Sequence, residues 1–176
     1  MTTSNATRIA VLHDEMLCSP DAEQLLDQHT EHMPAWLRDQ TLAAASEAAS
    51  RLEVEAALTG AKFSLIGITT LPGWLRLSLI TAYTGWFIGE SRTCQHSPNP
   101  QRPELIYACA GHPNLVVCTG CLFLITNHSD SEADRTCDAC GIIAEAVQPV
   151  QVSYGPMIFV AGVCAGCAFH RDQEAA

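Results

Sequence analysis

Positive charge is scarce in this chain: nine Lys and Arg face 19 Asp and Glu over 176 residues, a formal net charge of -10. Phosphate contacts draw on Lys and Arg, so bare nucleic acid is an electrostatically poor partner unless a local basic patch compensates. Long apolar runs are missing too. The most membrane-like stretch, residues 61–89, is interrupted by Lys62, Pro72-Gly73 and Arg76, which leaves 13 uncharged residues at 77–89 where a span needs about 20. A buried helix or strand pair is expected there, and no transmembrane span. No apolar h-region follows Arg8, because His13, Asp14 and Glu15 come next; the chain therefore reads as cytoplasmic, with reduced thiols. Nor does it carry a Walker-type loop, a serine elbow, a His-Glu-x-x-His or a deaminase His-x-Glu before Pro-Cys-x-x-Cys, which weakens an enzyme reading. Wholesale disorder is excluded by 48% apolar against 16% charged residues, enough apolar surface to build a core.

What the chain has in excess is cysteine. Of nine, one (Cys18) falls in residues 1–93 and eight fall after it. Cys94-Gln-His96, Cys118-Thr-Gly-Cys121, Cys137-Asp-Ala-Cys140 and Cys164-Ala-Gly-Cys167 supply eight ligands, enough for two tetrahedral ions. Zinc takes four thiolate or imidazole donors, and a pair separated by one or two residues folds round one ion through a tight turn. His96 and Cys118 are separated by 21 residues, Cys140 and Cys164 by 23. Each loop holds a hairpin, residues 104–109 with 114–117 and 142–150 with 157–162, the second turning at Tyr154-Gly155-Pro156. Cross-braced pairing, in which the first pair shares an ion with the third, is the alternative to sequential pairing. Cys109 and His112 form a competing CxxH pair for the first site, although Cys109 also fits a strand face with Leu105 and Tyr107. An iron-sulfur centre is a narrower rival, disfavoured by the mixed Cys94/His96 pair.

Residues 1–93 read as a mainly helical domain or extension. Ser19-Pro20 resembles an N-cap with proline at the first helical position, and that helix should stop near His32, before Pro34. A second helix runs from Pro34 to a stop at Gly60, on a narrow stripe rich in alanine. Such a face suits close packing within the domain or against another chain, including an oligomer through the N-terminal helices. Residues 63–70 read as a strand or the start of a third helix, and residues 75–87 as helix. Trp36, Trp74 and Trp86 are expected to fill a small core, as is Cys18. His29 and His32 stand three residues apart near a helix end, a spacing that also suits an exposed face.

The four ligand pairs resemble the zinc-ribbon and treble-clef group of small metal-held modules, and are similar to what small zinc proteins of actinobacteria or phages carry. The likeness covers residues 94–167 and rests on Cys94, His96, Cys118, Cys121, Cys137, Cys140, Cys164 and Cys167. It implies an α+β chain: an N-terminal helical region (1–93) and a C-terminal tandem zinc-ribbon-like module (94–176) with two zinc ions and short antiparallel hairpins. The nucleic-acid uses of that group sit poorly with residues 94–176, which hold three arginines against eight acidic residues. A zinc-stabilised module that binds another protein or regulates one is the leading functional expectation. A nucleic-acid-associated zinc protein and a zinc-containing enzyme or enzyme subunit are the alternatives.

Overall fold

The computed structural model describes residues 4–63, 66–129 and 131–168, without the side chains of Glu23, His29 and Thr30. The chain opens on helix α1 (Asn5–Leu17), whose N-cap Ser4 accepts the Thr7 N–H at 3.1 Å. Helix α2 (Ala22–His32) follows, and α3 (Ala35–Thr59) ends where Gly60 adopts φ +71°, a left-handed stop that glycine takes without a Cβ penalty. After a 3-10 turn at Ile68–Thr70 comes α4 (Gly73–Phe87). The strands are β1 (Arg92–Thr93), β2 (Ile106–Cys109), β3 (Leu115–Cys118), β4 (Gln148–Tyr154) and β5 (Met157–Val163), with a short helix α5 (Glu132–Arg135) between β3 and β4.

The strands form one mixed sheet in the order β1-β3-β2-β5-β4. Hairpins β2/β3 and β4/β5 are antiparallel, and β2 joins them by pairing in parallel with β5, Ile106 against Met157 and Cys109 against Val160. Side chains alternate across the sheet. Ile106, Ala108, Val152, Met157, Phe159 and Ala161 meet Leu75, Leu79, Ala82 and Trp86 of α4 on one face. Leu105, Tyr107, Cys109, Val117 and Ile158 meet Ala48 and Leu52 of α3 on the other. β5 is thus paired on both edges and covered on both faces, which explains its continuous apolar run; edge strand β4 instead alternates, with Val152 buried between exposed Gln151 and Ser153.

Residues 75–87 form the expected helix, and its lack of a polar face follows from its surroundings. One side lies on the sheet, while Ile80 packs against Ala10 and Leu17 of α1. A helix apolar all round needs such double cover. Among the described residues no helix is long and apolar enough to cross a membrane. α1 is further held by a two-point ion pair from Asp14 to Arg76, and by a 3.1 Å hydrogen bond between His13 Nε2 and the Tyr154 hydroxyl.

Several local expectations change in the tertiary structure. α3 turns Ala44, Ala48 and Leu52 inward, Ala48 and Leu52 against the sheet layer, while Leu42 and Leu58, expected on its apolar stripe, are exposed. Trp36 at its start is exposed, whereas Trp86 is buried and donates its indole N–H to the Pro98 carbonyl at 3.0 Å. Cys18 is not a core thiol: it caps α1 just past the last buried residue, Leu17, and is exposed. Residues 119–124 wind into 3-10 turns, so that Ile125 reaches the core while Phe123 and Leu124 face solvent. The side chain of His29 lies outside the described residues, as does His170.

Candidate metal centres

β1 runs parallel to β3, and the Cys94 N–H continues that ladder to the Val116 carbonyl at 3.3 Å. This places the 94–96 loop beside the end of β3, where Cys118 opens the next turn. Ser97, at φ +47°, bends the loop back and donates its N–H to the Cys94 carbonyl at 2.9 Å. Cys94 Sγ comes 3.8 Å from Cys118 Sγ, and His96 Nδ1 lies 3.4 Å from Cys118 Sγ and 3.3 Å from Cys121 Sγ.

The second group is built from the segments that flank the β4/β5 hairpin. The Cys137 N–H donates to the Ile142 carbonyl, and Gly141 N–H returns to the Cys137 carbonyl at 2.8 Å. Gly141 takes φ +72° to close this turn, a geometry that a side chain would strain. Asp138, inside the Cys-x-x-Cys, pins the turn to β5: its N–H donates to the Gly162 carbonyl at 2.8 Å and its carboxylate accepts the Gly162 N–H at 2.6 Å. In the sequence Asp138 is only a residue between two ligands; its role needs the end of β5 alongside. Past β5, Cys164 donates its N–H to Cys137 Sγ at 3.3 Å, and Cys140 Sγ lies 4.0 Å from Cys164 Sγ.

The eight residues thus assemble as two groups of four, Cys94/His96/Cys118/Cys121 and Cys137/Cys140/Cys164/Cys167, with the donor atoms of each group within 4.8 Å of one another. The grouping is sequential, because each hairpin returns its end to its own starting loop. Cys109 stays outside both groups; it is buried, its thiol donates to the Ile125 carbonyl at 3.4 Å, and burial raises its pKa. His112 forms the β2/β3 turn through its backbone.

The spacing tests which ion fits. A tetrahedral zinc with Zn–S of about 2.3 Å and Zn–N of about 2.0 Å sets S···S edges of about 3.8 Å and S···N edges of about 3.5 Å. The separations of 3.8 and 4.0 Å between sulfurs, and 3.3 and 3.4 Å from sulfur to imidazole, match those edges. They are far from the ~2.05 Å of a disulfide, and all nine cysteines are free thiols. Both groups are therefore capable of coordinating a metal ion.

Backbone N–H groups aimed at sulfur shape the thiol chemistry. Burial alone would raise the pKa of Cys94, but N–H groups of Cys118 and His96 outweigh it and bring it down to about 7. Cys137 is likewise lowered to about 6, against burial, by the N–H groups of Cys164, Cys140 and Ala139. The other ends of the clusters keep their protons: burial and hydrogen bonds to Cys94 and Cys118 push Cys121 up to about 11, and hydrogen bonds to Cys140 and Cys164 push Cys167 up to about 12. Cys94 and Cys137 thus favour the thiolate that attracts a cation, while Cys121 and Cys167 must each shed a proton to complete the shells.

Binding is accordingly expected to release at least one proton per site at pH 7.5, from Cys121 and Cys167, and to weaken as pH falls through about 7 and then about 6, where Cys94 and Cys137 become protonated. Both of these thiols titrate below an ordinary cysteine, so their contribution to folding is full above the ordinary thiol pKa and is lost on acidification. Zinc titrations by calorimetry in two buffers of different ionisation enthalpy measure the protons directly; an identical apparent enthalpy in both contradicts this account.

The two clusters sit at opposite ends of the sheet. Cys118 is level with Ile106, which pairs with Met157, and Cys164 lies seven residues further along β5, about 23 Å at about 3.3 Å per residue. The fold and the two groups define the chain as a mixed α+β protein with N-terminal helices and two candidate Cys/His metal-binding clusters. No protein-family model matches it, and neither the curated proteins nor the solved structures yield a match.

Proposed function

We propose that this protein is a zinc-stabilised protein-interaction module, in which two structural zinc ions hold a docking surface in shape. The observation that carries the reading is the pair of four-donor groups at tetrahedral spacing. Four protein donors close a coordination shell and leave no position for water or substrate, which is the pattern of structural and not of hydrolytic zinc. Cys94, His96, Cys118 and Cys121 would hold one ion; Cys137, Cys140, Cys164 and Cys167 would hold the other.

The docking part of the proposal rests on what each cluster presents. Two and three residues past Cys121 stand Phe123 and Leu124, and at the same distances past Cys140 stand Ile142 and Ile143. Phe123 and Ile142 are 70% and 63% exposed. Large apolar side chains held on tight, metal-braced turns are suited to anchoring in a partner's pocket, while the net charge of -10 disfavours phosphate.

Elemental analysis of purified protein should find two zinc ions per chain. The double variant Phe123→Asp, Ile142→Asp should keep both ions and the thermal transition but lose a zinc-dependent protein partner captured by the wild type from native host extract. Tight, salt-sensitive binding of purified protein to duplex DNA or RNA would replace this reading with a nucleic-acid one.

A further inference from the structure

The two clusters differ in what they show to solvent. In the first, Cys94 and Cys121 are buried, Cys118 is half-buried, and the exposed member is His96. In the second, Cys137 is buried, Cys164 and Cys167 are half-buried, and the exposed member is Cys140. A solute reaching the first cluster meets an imidazole; at the second it meets sulfur. Taking the two-zinc reading as its basis, we infer that Cys140 is a site of oxidation by peroxides, with Cys164 closing a disulfide onto it and one of the two ions leaving.

The donor chemistry acts in the same direction as the exposure. Three thiolates and an imidazole around a divalent cation leave the first site with one negative charge, whereas four thiolates leave the second with two. Thiolates in the second site are therefore the more electron-rich, and susceptibility to oxidation follows thiolate character and access. Imidazole is not a nucleophile toward peroxide on that scale.

Cys140 has a partner thiol within reach. Cys140 Sγ lies 4.0 Å from Cys164 Sγ, so the sulfurs must approach by about 2 Å to reach bonding distance. Both residues sit on turns outside the ladder, Cys140 before β4 and Cys164 after β5, and the approach asks nothing of the sheet. Cys137 is buried beneath them and accepts the Cys164 N–H.

In the first step the Cys140 thiolate attacks one oxygen of hydrogen peroxide, the O–O bond breaks, and hydroxide leaves a sulfenic acid behind. The Cys164 thiolate then attacks that sulfur, the S–O bond breaks with loss of a second hydroxide, and the S–S bond forms. Two electrons pass from the sulfur pair to the peroxide. Two donors are consumed, and Cys137 with Cys167 cannot hold a divalent ion alone. The disulfide joins the same two turns that the ion joined, so the end of the sheet stays closed and a thiol reductant with zinc restores the original site.

The test uses the full zinc-loaded chain, with its metal content measured at the outset. Hydrogen peroxide is added, zinc release is followed with a chromogenic chelator, and disulfides are mapped by mass spectrometry. One equivalent should leave well before the other, with Cys140 joined to Cys164 and the first cluster still reduced. The variant Cys140→His, which puts imidazole at the exposed corner, should keep two ions and slow the early release at least ~tenfold, and His96→Cys should speed release from the first site. Equal rates of loss from both sites, first-cluster cysteines oxidised first, or an early disulfide lacking Cys140 would overturn the inference, and the wild-type map decides it even where a variant does not fold. Fewer than two ions before peroxide is added sinks the underlying zinc reading itself, whereas two ions followed by indiscriminate loss sinks only the oxidation step.

Discussion

Stripping the metal from the full chain at neutral pH is expected to unfold the sheet outright. Structural zinc contributes roughly 10–16 kcal/mol to small metal-held folds, while a whole domain is stable by only about 5–15 kcal/mol. Here the two groups brace opposite ends of one sheet: β1 and β3 meet at the first, and the β4/β5 hairpin is closed by the second. Removing both ions leaves seven thiols and an imidazole in two crowded groups with no cation to hold each together. A strong chelator should abolish the β-sheet circular dichroism and with it the cooperative thermal transition, and readdition of zinc under reducing conditions should restore both. Single substitutions should sort by cluster. Cys137→Ser or Cys164→Ser should lose one ion and keep the other, while Cys18→Ser and Cys109→Ala should keep two. A chelated chain with an unchanged thermal transition contradicts the structural role of the ions, and loss of an ion from Cys109→Ala places that thiol in the first site.

Replacement of Phe159 by alanine should be the most damaging change outside the clusters. Phe159 is fully buried at the middle of β5, paired with Ala108 on one side and Val152 on the other, and packed in the cluster that includes Leu79 and Trp86 of α4. Truncating a buried phenylalanine costs about 3–5 kcal/mol through lost burial and the cavity left behind. A drop of that size consumes much of a domain's stability and should lower the thermal midpoint by roughly 10 °C or more. Phe123→Ala makes the control, since the exposed ring contributes about 0.5 kcal/mol or less to folding. Both variants should still carry two zinc ions where they fold. Equal thermal midpoints for the two would show that β5 is not the centre of the core.

How much of this was legible along the chain depends on the range of each interaction. The eight Cys/His positions stand out because ligand pairs are local: one or two residues between donors is a property of consecutive positions, whatever lies elsewhere. The same locality made the α4 helix, the β2/β3 hairpin and the turn into β5 readable, as apolar spacing and turn residues act within a dozen residues, whereas the strand before that turn, expected over 142–150, runs Gln148–Tyr154. The long α3, stopped by a left-handed Gly60, was equally plain.

Tertiary structure alone decided which loop meets which. Sequential and cross-braced groupings use identical residues, and the choice came from each hairpin returning to its own start while β2 and β5 paired in parallel, a contact between residues about fifty positions apart. Burial was likewise decided from a distance. The apolar side of α3 admitted either the sheet or another chain until Ala48 and Leu52 were laid against the sheet layer, with Leu42 and Leu58 left exposed. Cys18 and Trp36 look like core residues by type, yet both are exposed in the fold. Sequence determined the chemistry that the chain can offer, because donor identity and short spacing are written in order. Folding determined which sulfur faces water and which is shielded, because exposure is a property of everything packed around a residue and not of the residue itself.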